Sequence, residues 1–387
     1  MGIILIEIKD KLKNQPSLQL NSFIKSFFNR PLEDLLIFDI ETTGLSARNC
    51  CCYLIGCIYY SDNCWNYIQW LAQSYDDEKI ILNSFTDFSE KFNSVIHFNG
   101  DSFDIPFIRK RLLFYKLSKQ FDFIYNTDIF RLIKKSDDII KLGHYRQKDV
   151  EKFMGVSRID KLSGKELIEI YKHYVAFGEN SDLNLLLQHN YDDINGLLNI
   201  LPCTAYSCDK NSILMLKKVY LSDDSVDSCN RIITFELECK YTFPVEISTE
   251  HAIKNDSDLN STIRITYKNN IILLSTPVLS ECLKYFFPDY KNYYYLIEED
   301  EAIHKSVASF VDKKYRIQAK AATCYTKRQS SFIIKPDNYQ SPVFKNHYND
   351  KYSFMEINNT FTGSDEQCLL YSKELFDFVK KLKICNI

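Results

Sequence analysis

The 387-residue sequence has almost no net charge: 48 Lys and Arg against 51 Asp and Glu leave −3. This excludes a polycation that holds nucleic acid over its whole surface, so any such contact needs a local patch. Thirteen cysteines are present, but no Cys-x-x-Cys pair, and Cys50, Cys51 and Cys52 are consecutive. Neither a disulfide framework nor a zinc site is indicated, and the cysteines read as free thiols of a reducing cytoplasm. No apolar run approaches membrane-spanning length, so no membrane partner is expected. The opening "MGIILIEIKDKLK" has too short an apolar run and acids too early for a signal peptide. Ile6 stands where a myristoylation signal needs Ser or Thr. Internal repeats and low-complexity tracts are also lacking. What the chain does have is 45% hydrophobic residues, ample for the cores of two or three domains. Its 26 Tyr and 27 Phe, many of them in the second half, point to a β-rich core there.

Residues 1–34 read as a polar, partly helical strap. "LLIFDIE", "YLIGCIYY" and "WNYIQWLA" follow as three short β-branched and aromatic runs separated by turn residues, which predicts an antiparallel meander. From about Asp76 helical periods alternate with short apolar strands, the texture of βα units, through "SVIHFNG" and "IYNTDIF". Helical segments then lead to a boundary near residues 202–212. Beyond it, "RIITFELECKYTF" and "TIRITYKNNIILLS" alternate apolar and polar residues, the second around a turn at Asn269–Asn270. One helix is expected at about 299–312, and "SKELFDFVKKLK" forms another at the end.

"FDIETTGLS" places Asp39 and Glu41 two apart on a strand, hence on one face, with Ile40 opposite. Adjacent carboxylates repel, and a hard divalent cation such as Mg²⁺ or Mn²⁺ is the usual relief. In "HFNGDSFDIPFIRKR" a strand runs into a turn at Asn99–Gly100, and the acids Asp101 and Asp104 stand where a helix opens over the sheet edge. Asp101 reads as a helix N-cap and Asp104 as a first-turn acid favoured by the helix dipole. In "HNYDDINGLL" His189 and Asp193 are four apart and share a helical face, whereas Tyr191 does not face Asp193 and Asp192 points elsewhere, solvated or bonded locally.

These three stretches, in this order, resemble the motifs of the DEDD 3′–5′ exonucleases of the ribonuclease-H-like superfamily. The similarity extends to bacterial YprB-like predicted exonucleases through "YRQKDVEKFMGVSRIDKLSGKELIEIYKHY", and it covers roughly residues 30–200. The resemblance implies an α/β fold over residues 35–203, a ribonuclease-H-like mixed five-stranded sheet with flanking helices; the alternating pattern beyond it predicts a smaller β-rich α+β domain over 212–387. It implies two Mg²⁺ or Mn²⁺ ions held by Asp39, Glu41, Asp104 and Asp193, with His189 as general base. The Phe-Asp pairing of the second motif falls on Phe103–Asp104, which favours Asp104 over Asp101. The four-residue spacing from His189 to Asp193 is that of the tyrosine members. Thr42 and Asn99 are expected beside the substrate strand.

The implied activity is metal-dependent 3′–5′ hydrolysis of nucleic-acid phosphodiesters, with DNA favoured, a single-stranded 3′ end as substrate and a helicase as a partner by analogy. The rival readings are a non-catalytic nucleic-acid-binding module and a structure-selective endonuclease on the same fold. In the second half, "KKYRIQAKAATCYTKR" carries six positive charges and no acid, with Tyr315 and Tyr325 interleaved. Arg316, Lys320, Lys327 and Arg328 suit phosphates there, and an exposed strand face equally well.

Overall fold

The computed structural model describes residues 6–119, 121–223, 231–254 and 261–382. The chain separates into two compact units, residues 1–207 and 208–387.

In the first unit the segment read as a strap supplies a strand and a helix, β1 (Ile6–Lys11) and α1 (Leu18–Phe28). The meander follows as β2 (Leu35–Thr42), β3 (Cys52–Ser61) and β4 (Cys64–Leu71). Next come α2 (Glu78–Ser89), β5 (Ser94–His97), α3 (Asp104–Phe114) and β6 (Tyr125–Asp128). Five helices complete the unit: α4 (Ile129–Lys134), α5 (Asp137–Ile140), α6 (Gln147–Met154), α7 (Gly164–Phe177) and α8 (Asn180–Ile200).

The sheet order is β1-β4-β3-β2-β5-β6, with β2, β5 and β6 mutually parallel and the remaining pairs antiparallel. The sheet therefore has six strands rather than the expected five. The extra one, β1, pairs with β4 from Ile6↔Leu71 to Lys11↔Asn66 and covers what would be an open edge. Alternation along β2 gives each face its task. Leu36, Phe38 and Ile40 pack into the main core with Phe85 of α2 and Ile105 and Ile108 of α3. Asp39 and Glu41 point to the opposite face, where α8 crosses.

A buried ion pair ties this layer together. Glu78 is fully buried at the start of α2 and accepts hydrogen bonds from the Cys52 amide at 2.8 Å, Arg111 Nε at 2.8 Å and the Tyr115 hydroxyl at 2.9 Å. Arg111 Nη1 donates to the Ala47 carbonyl at 3.0 Å, so one network joins β3, α2, α3 and the loop after β2.

The second unit is built on long antiparallel strands, β7 (Ile213–Asp223), β8 (Arg231–Ile253) and β9 (Ser261–Phe286). A small sheet holds β10 (Tyr293–Leu296), β11 (Glu301–His304) and β12 (Arg316–Gln318), with the one-turn helix α9 (Lys305–Ala308) between the last two. Strands β13 (Tyr325–Ile334), β14 (Phe344–Lys345) and β15 (Phe354–Glu356) complete the larger sheet, and α10 (Asn359–Thr362) and α11 (Asp365–Leu382) follow. Tyr371 of α11 is buried against Phe235 of β8 at 5.4 Å between ring centres and donates to the Ile334 carbonyl at 2.8 Å.

Two local expectations fail here. Of the helix expected at about 299–312 only the one turn of α9 (Lys305–Ala308) forms; before it the chain makes a hairpin, in which Asp300 adopts a left-handed conformation (φ 54°) and Glu301–His304 pairs with β10. Asn269 is also left-handed (φ 51°), but it ends no strand. β9 runs through it, and the β8–β9 register shifts on either side of the Phe243↔Asn269 pair, where β8 carries the extra residues, so the bulges lie in β8 opposite Asn269.

Removing one partner of the Glu78–Arg111 pair leaves a buried charge unmatched. Glu78→Met is expected to destabilise the fold by about 3–5 kcal/mol, and adding Arg111→Met to recover much of that loss. Additive losses in chemical denaturation would show that the pair is not the organising contact.

Candidate active site

The parallel strands β2 and β5 end at the same edge of the sheet, and that edge receives the motif residues. Asp39 and Glu41 come from the end of β2, where the ladder to β3 shifts register between Glu41 and Thr42. Opposite Asp39 on β3 is Gly56, and a Cβ there would lie 1.9 Å from Asn190 Oδ1. The glycine leaves room for Asn190, which is fully buried, accepts from Gln69 Nε2 at 2.9 Å and donates to Asp39 Oδ2 at 3.3 Å.

Asp104 is the first residue of α3, and the backbone N–H groups of Asp104 itself and of Ile40 bond its carboxyl. Helix α8 supplies the remainder. His189 Nε2 lies 3.1 Å from Asp193 Oδ2 and 3.4 Å from Glu41 Oε1, so the four-residue spacing does bring imidazole and carboxylate together. Donor atoms of Glu41, His189 and Asp193 all lie within 4.8 Å of one another.

The charges do not balance locally. Burial first, then Asp193, Asp104 and Glu41, push the Asp39 carboxyl well above the usual carboxylate range. Burial likewise raises Glu41 to about 8, although His189 opposes it. Asp104 rises to about 7 because burial outweighs its two backbone hydrogen bonds. Asp193 is the exception: burial would raise it, but His189 and Arg158 together hold it below its ordinary value. Burial would lower His189, yet Asp193, Glu41 and Asp160 keep it above its ordinary value. Oxygen donors crowded at one sheet edge, three of them reluctant to ionise, form a set that hard divalent cations fit.

Several members of this site were not singled out in the sequence. Arg158 bonds Asp193 Oδ1 and reaches Glu151 at 3.1 Å. Asp160 Oδ2 lies 2.5 Å from His189 Nδ1. Asp192, read as solvated or bonded locally, is buried and bonded: its Oδ1 accepts from Gln188 Nε2 one turn back at 2.7 Å, and its Oδ2 accepts the backbone N–H groups of Ile159 at 2.9 Å and Asp160 at 2.8 Å. Arg158 and Asp160 lie inside the matched segment "SRIDKLSG", and only that resemblance could have flagged them. Tyr191 turns away and packs edge-on against Tyr67.

In the second motif Asp104 lies near Asp193, whereas Asp101, read as the helix N-cap, is not in that position, which Phe103 takes. Asp101 instead accepts from Asn126 Nδ2 at 2.6 Å and pairs with Arg131 at 2.9 Å. The turn before it is pinned separately. Asn99 is left-handed (φ 60°), its N–H donates to Asp128 Oδ1 at 2.8 Å, and the Gly100 N–H donates to His97 Nδ1 at 3.0 Å. Thr42 donates to the Gly44 carbonyl at 3.0 Å and so shapes the loop after β2. Beside these elements lies a cleft of about 790 Å³, lined by Leu45, Arg48, Phe103, Phe107, Lys110 and Phe114 among others.

In the basic run of the second unit, three of the four cations expected at phosphates are engaged by neighbours. Lys327 pairs with Asp300 at 3.1 Å and Arg328 with Glu356 at 3.1 Å. Arg316 stacks over Tyr294 with 4.9 Å to the ring centre and bonds the Ala308 carbonyl, while Lys320 is exposed in the segment before β13.

Residues 36–203 match the family model RNase_H_2, of the RNase H superfamily. The fold is accordingly ribonuclease-H-like α/β, with a β-rich second unit. Among solved structures, the chain is similar to the family B DNA polymerase from the hyperthermophilic archaeon Pyrobaculum calidifontis, at 13% identity and TM-score 0.36. The likeness covers 52% of this chain and 33% of the polymerase, so the chain spans about a third of that protein's length. It is also similar to the zinc ion bound form of the E. coli ExoI–ssDNA complex, at 11% identity and TM-score 0.24, over 90% of this chain and 70% of that one. A comparison with curated proteins finds no match. Among the described residues, no helix is long and apolar enough to cross a membrane.

The raised carboxyls make a stability prediction. Without cations the folded chain holds more protons than the unfolded chain from about pH 4.5, the ordinary Glu value, up to about 8 for Glu41, so stability falls as pH rises through that window. In EDTA, Tm is expected to drop between roughly pH 5 and roughly pH 8, and Mn²⁺ or Mg²⁺ to raise Tm, more at the higher pH. Thermal melts insensitive to both pH and cation would remove the cation site.

Proposed function

We propose that the first unit is a metal-dependent 3′–5′ exonuclease acting on nucleic-acid phosphodiesters. The observation that carries this reading is the convergence of Asp39, Glu41, Asp104 and Asp193 on one sheet edge with His189 among them. When bound there, two divalent cations would neutralise the carboxylates and polarise water and phosphate. The four acids would hold them, and the raised carboxyl values are those of ligands awaiting a countercharge.

The chain's own groups divide the remaining work. His189 pairs through Nδ1 with Asp160 and presents Nε2 to the carboxylate cluster; with cations neutralising Glu41 and Asp193, that nitrogen would be free to accept a proton from an attacking water. Asp104, held by two N–H groups, and Asp39, held by Asn190, are fixed before any ligand arrives, so little reorganisation is needed at reaction. The adjoining cleft suits a splayed terminal nucleotide. Leu45, Phe103 and Phe114 offer apolar and aromatic surface for a base, and Arg48 and Lys110 offer charge for phosphate. DNA remains the favoured substrate, and a partner that exposes single-stranded ends, such as a helicase, fits this reading.

Labelled DNA and RNA oligonucleotides, single and duplex, incubated with Mg²⁺ and Mn²⁺, are expected to yield ladders shortening from the 3′ end, while closed single-stranded circles survive. Asp39→Asn, Glu41→Gln, Asp104→Asn and Asp193→Asn are each expected to cut turnover by orders of magnitude. His189→Ala is expected to cost roughly 10²–10⁴ in kcat, and Asp101→Asn to have a mild effect. Degradation in excess EDTA would overturn the reading, and cleavage of circles would turn it to an endonuclease.

A further inference from the structure

The turn from Arg158 to Asp160, between α6 and α7, meets one face of α8 at four points. Arg158 bonds Asp193, Asp160 bonds His189, and two consecutive backbone N–H groups of the turn bond Asp192. Positions 189, 192 and 193 are spaced i, i+3 and i+4, so a single helical face presents all three side chains to the turn. These contacts lie in the interior: the side chains of Asp160, His189 and Arg158 are 4%, 7% and 10% exposed.

Asp160 is held from both sides. Its Oδ1 accepts the Leu162 N–H at 2.9 Å, while Oδ2 faces His189 Nδ1 at 2.5 Å and Lys148 Nζ at 3.6 Å. With Oδ1 already accepting from an N–H and Oδ2 facing an ammonium, the carboxyl group is arranged as an acceptor, which leaves His189 Nδ1–H as the donor across the contact. The ring is then bound to one orientation with Nε2 toward Glu41 and Asp193. A carboxylate behind a histidine serves in this way in Ser-His-Asp hydrolases, where it sets the tautomer and ring plane of the base without taking the proton.

We infer that Asp160 is a positioning residue that acts through His189, fixing its tautomer and orientation, and that Asp192 anchors the turn delivering it. The inference rests on the reading of His189 as the base. The competing account is a structural ion-pair network in which Asp160 merely offsets buried charge.

Asp160→Asn preserves size and removes the carboxylate, so an amide N–H can turn toward Nδ1 and stabilise the wrong tautomer. The assay compares wild type and Asp160→Asn, both full length, for kcat and KM on a labelled single-stranded oligonucleotide with Mn²⁺, and for Tm. Nitrogen-15 NMR of the His189 imidazole is recorded on the same proteins without substrate. The expected result is a fall in kcat of roughly 10²–10⁴ with KM and Tm little changed, and loss of the strongly downfield Nδ1–H resonance seen in wild type.

If wild type degrades nothing yet shows that resonance and the Asn variant loses it, the nuclease reading fails while the positioning of His189 stands. An unchanged His189 spectrum in Asp160→Asn overturns the inference, and so does a loss of activity that follows Tm alone. Asp192→Ala supplies a second variant should Asp160→Asn fold poorly. It leaves both His189 and Asp160 in place, and a wild-type His189 resonance in it would overturn the anchoring role.

Discussion

Like charges held together out of water dominate the first unit. Four carboxylates share one sheet edge, and burial above all, with repulsion from neighbouring acids added, raises Asp39, Glu41 and Asp104. A fold keeps such a cluster only if other contacts hold the groups there. Here those contacts are numerous and specific: Asn190 on Asp39, backbone N–H groups on Asp104, and His189 and Arg158 on Asp193. The strain is local and electrostatic, and divalent cations would convert it into binding energy.

Helix α8 is the element through which most of this order passes. Its face turned to the sheet carries Asn190 toward Asp39, and its neighbouring face carries His189, Asp192 and Asp193 toward the 158–160 turn. Small residues permit both approaches. Gly56 admits Asn190 beneath the helix, and Gly196 admits Glu151, which a Cβ at that position would meet at 2.1 Å. Glu151 in turn steadies Arg158. The site is therefore continuous with the packing of α6, α7 and α8, and its polar members are bonded in series rather than singly.

The second unit shows the other side of the same chemistry. Its aromatic wealth went into a β-rich core, as with Phe235, Phe332, Phe354 and Tyr371, all fully buried. Its basic run met partners: Lys327 and Arg328 each found an acid on a neighbouring strand or turn, and Arg316 found a ring. Lys327 and Arg328, adjacent in sequence, alternate in direction along β13 and so reach different partners.

Asp39 and Glu41 on one strand face, the turn at Asn99 and the His189–Asp193 helical pair were legible because each depends only on a short-range period, two for strands and 3.6 for helices. The meander and the βα alternation were legible for the same reason. The sixth strand was not, because Ile6–Lys11 carries a weak alternation and becomes a strand by pairing with an edge 60 residues away. The turn at 297–300 and the β8 bulges opposite Asn269 likewise depend on which partner strand lies alongside. Asp160, Arg158 and Asp192 make the sharpest case. Each is an ordinary polar residue by composition, and each gains its role from contact between a turn and a helix some 30 residues apart in the chain. Local periodicity determined which faces the acids occupy. Only tertiary packing, which sets long-range hydrogen-bond partners and excludes water, decided how they are held and how strongly their protons are bound.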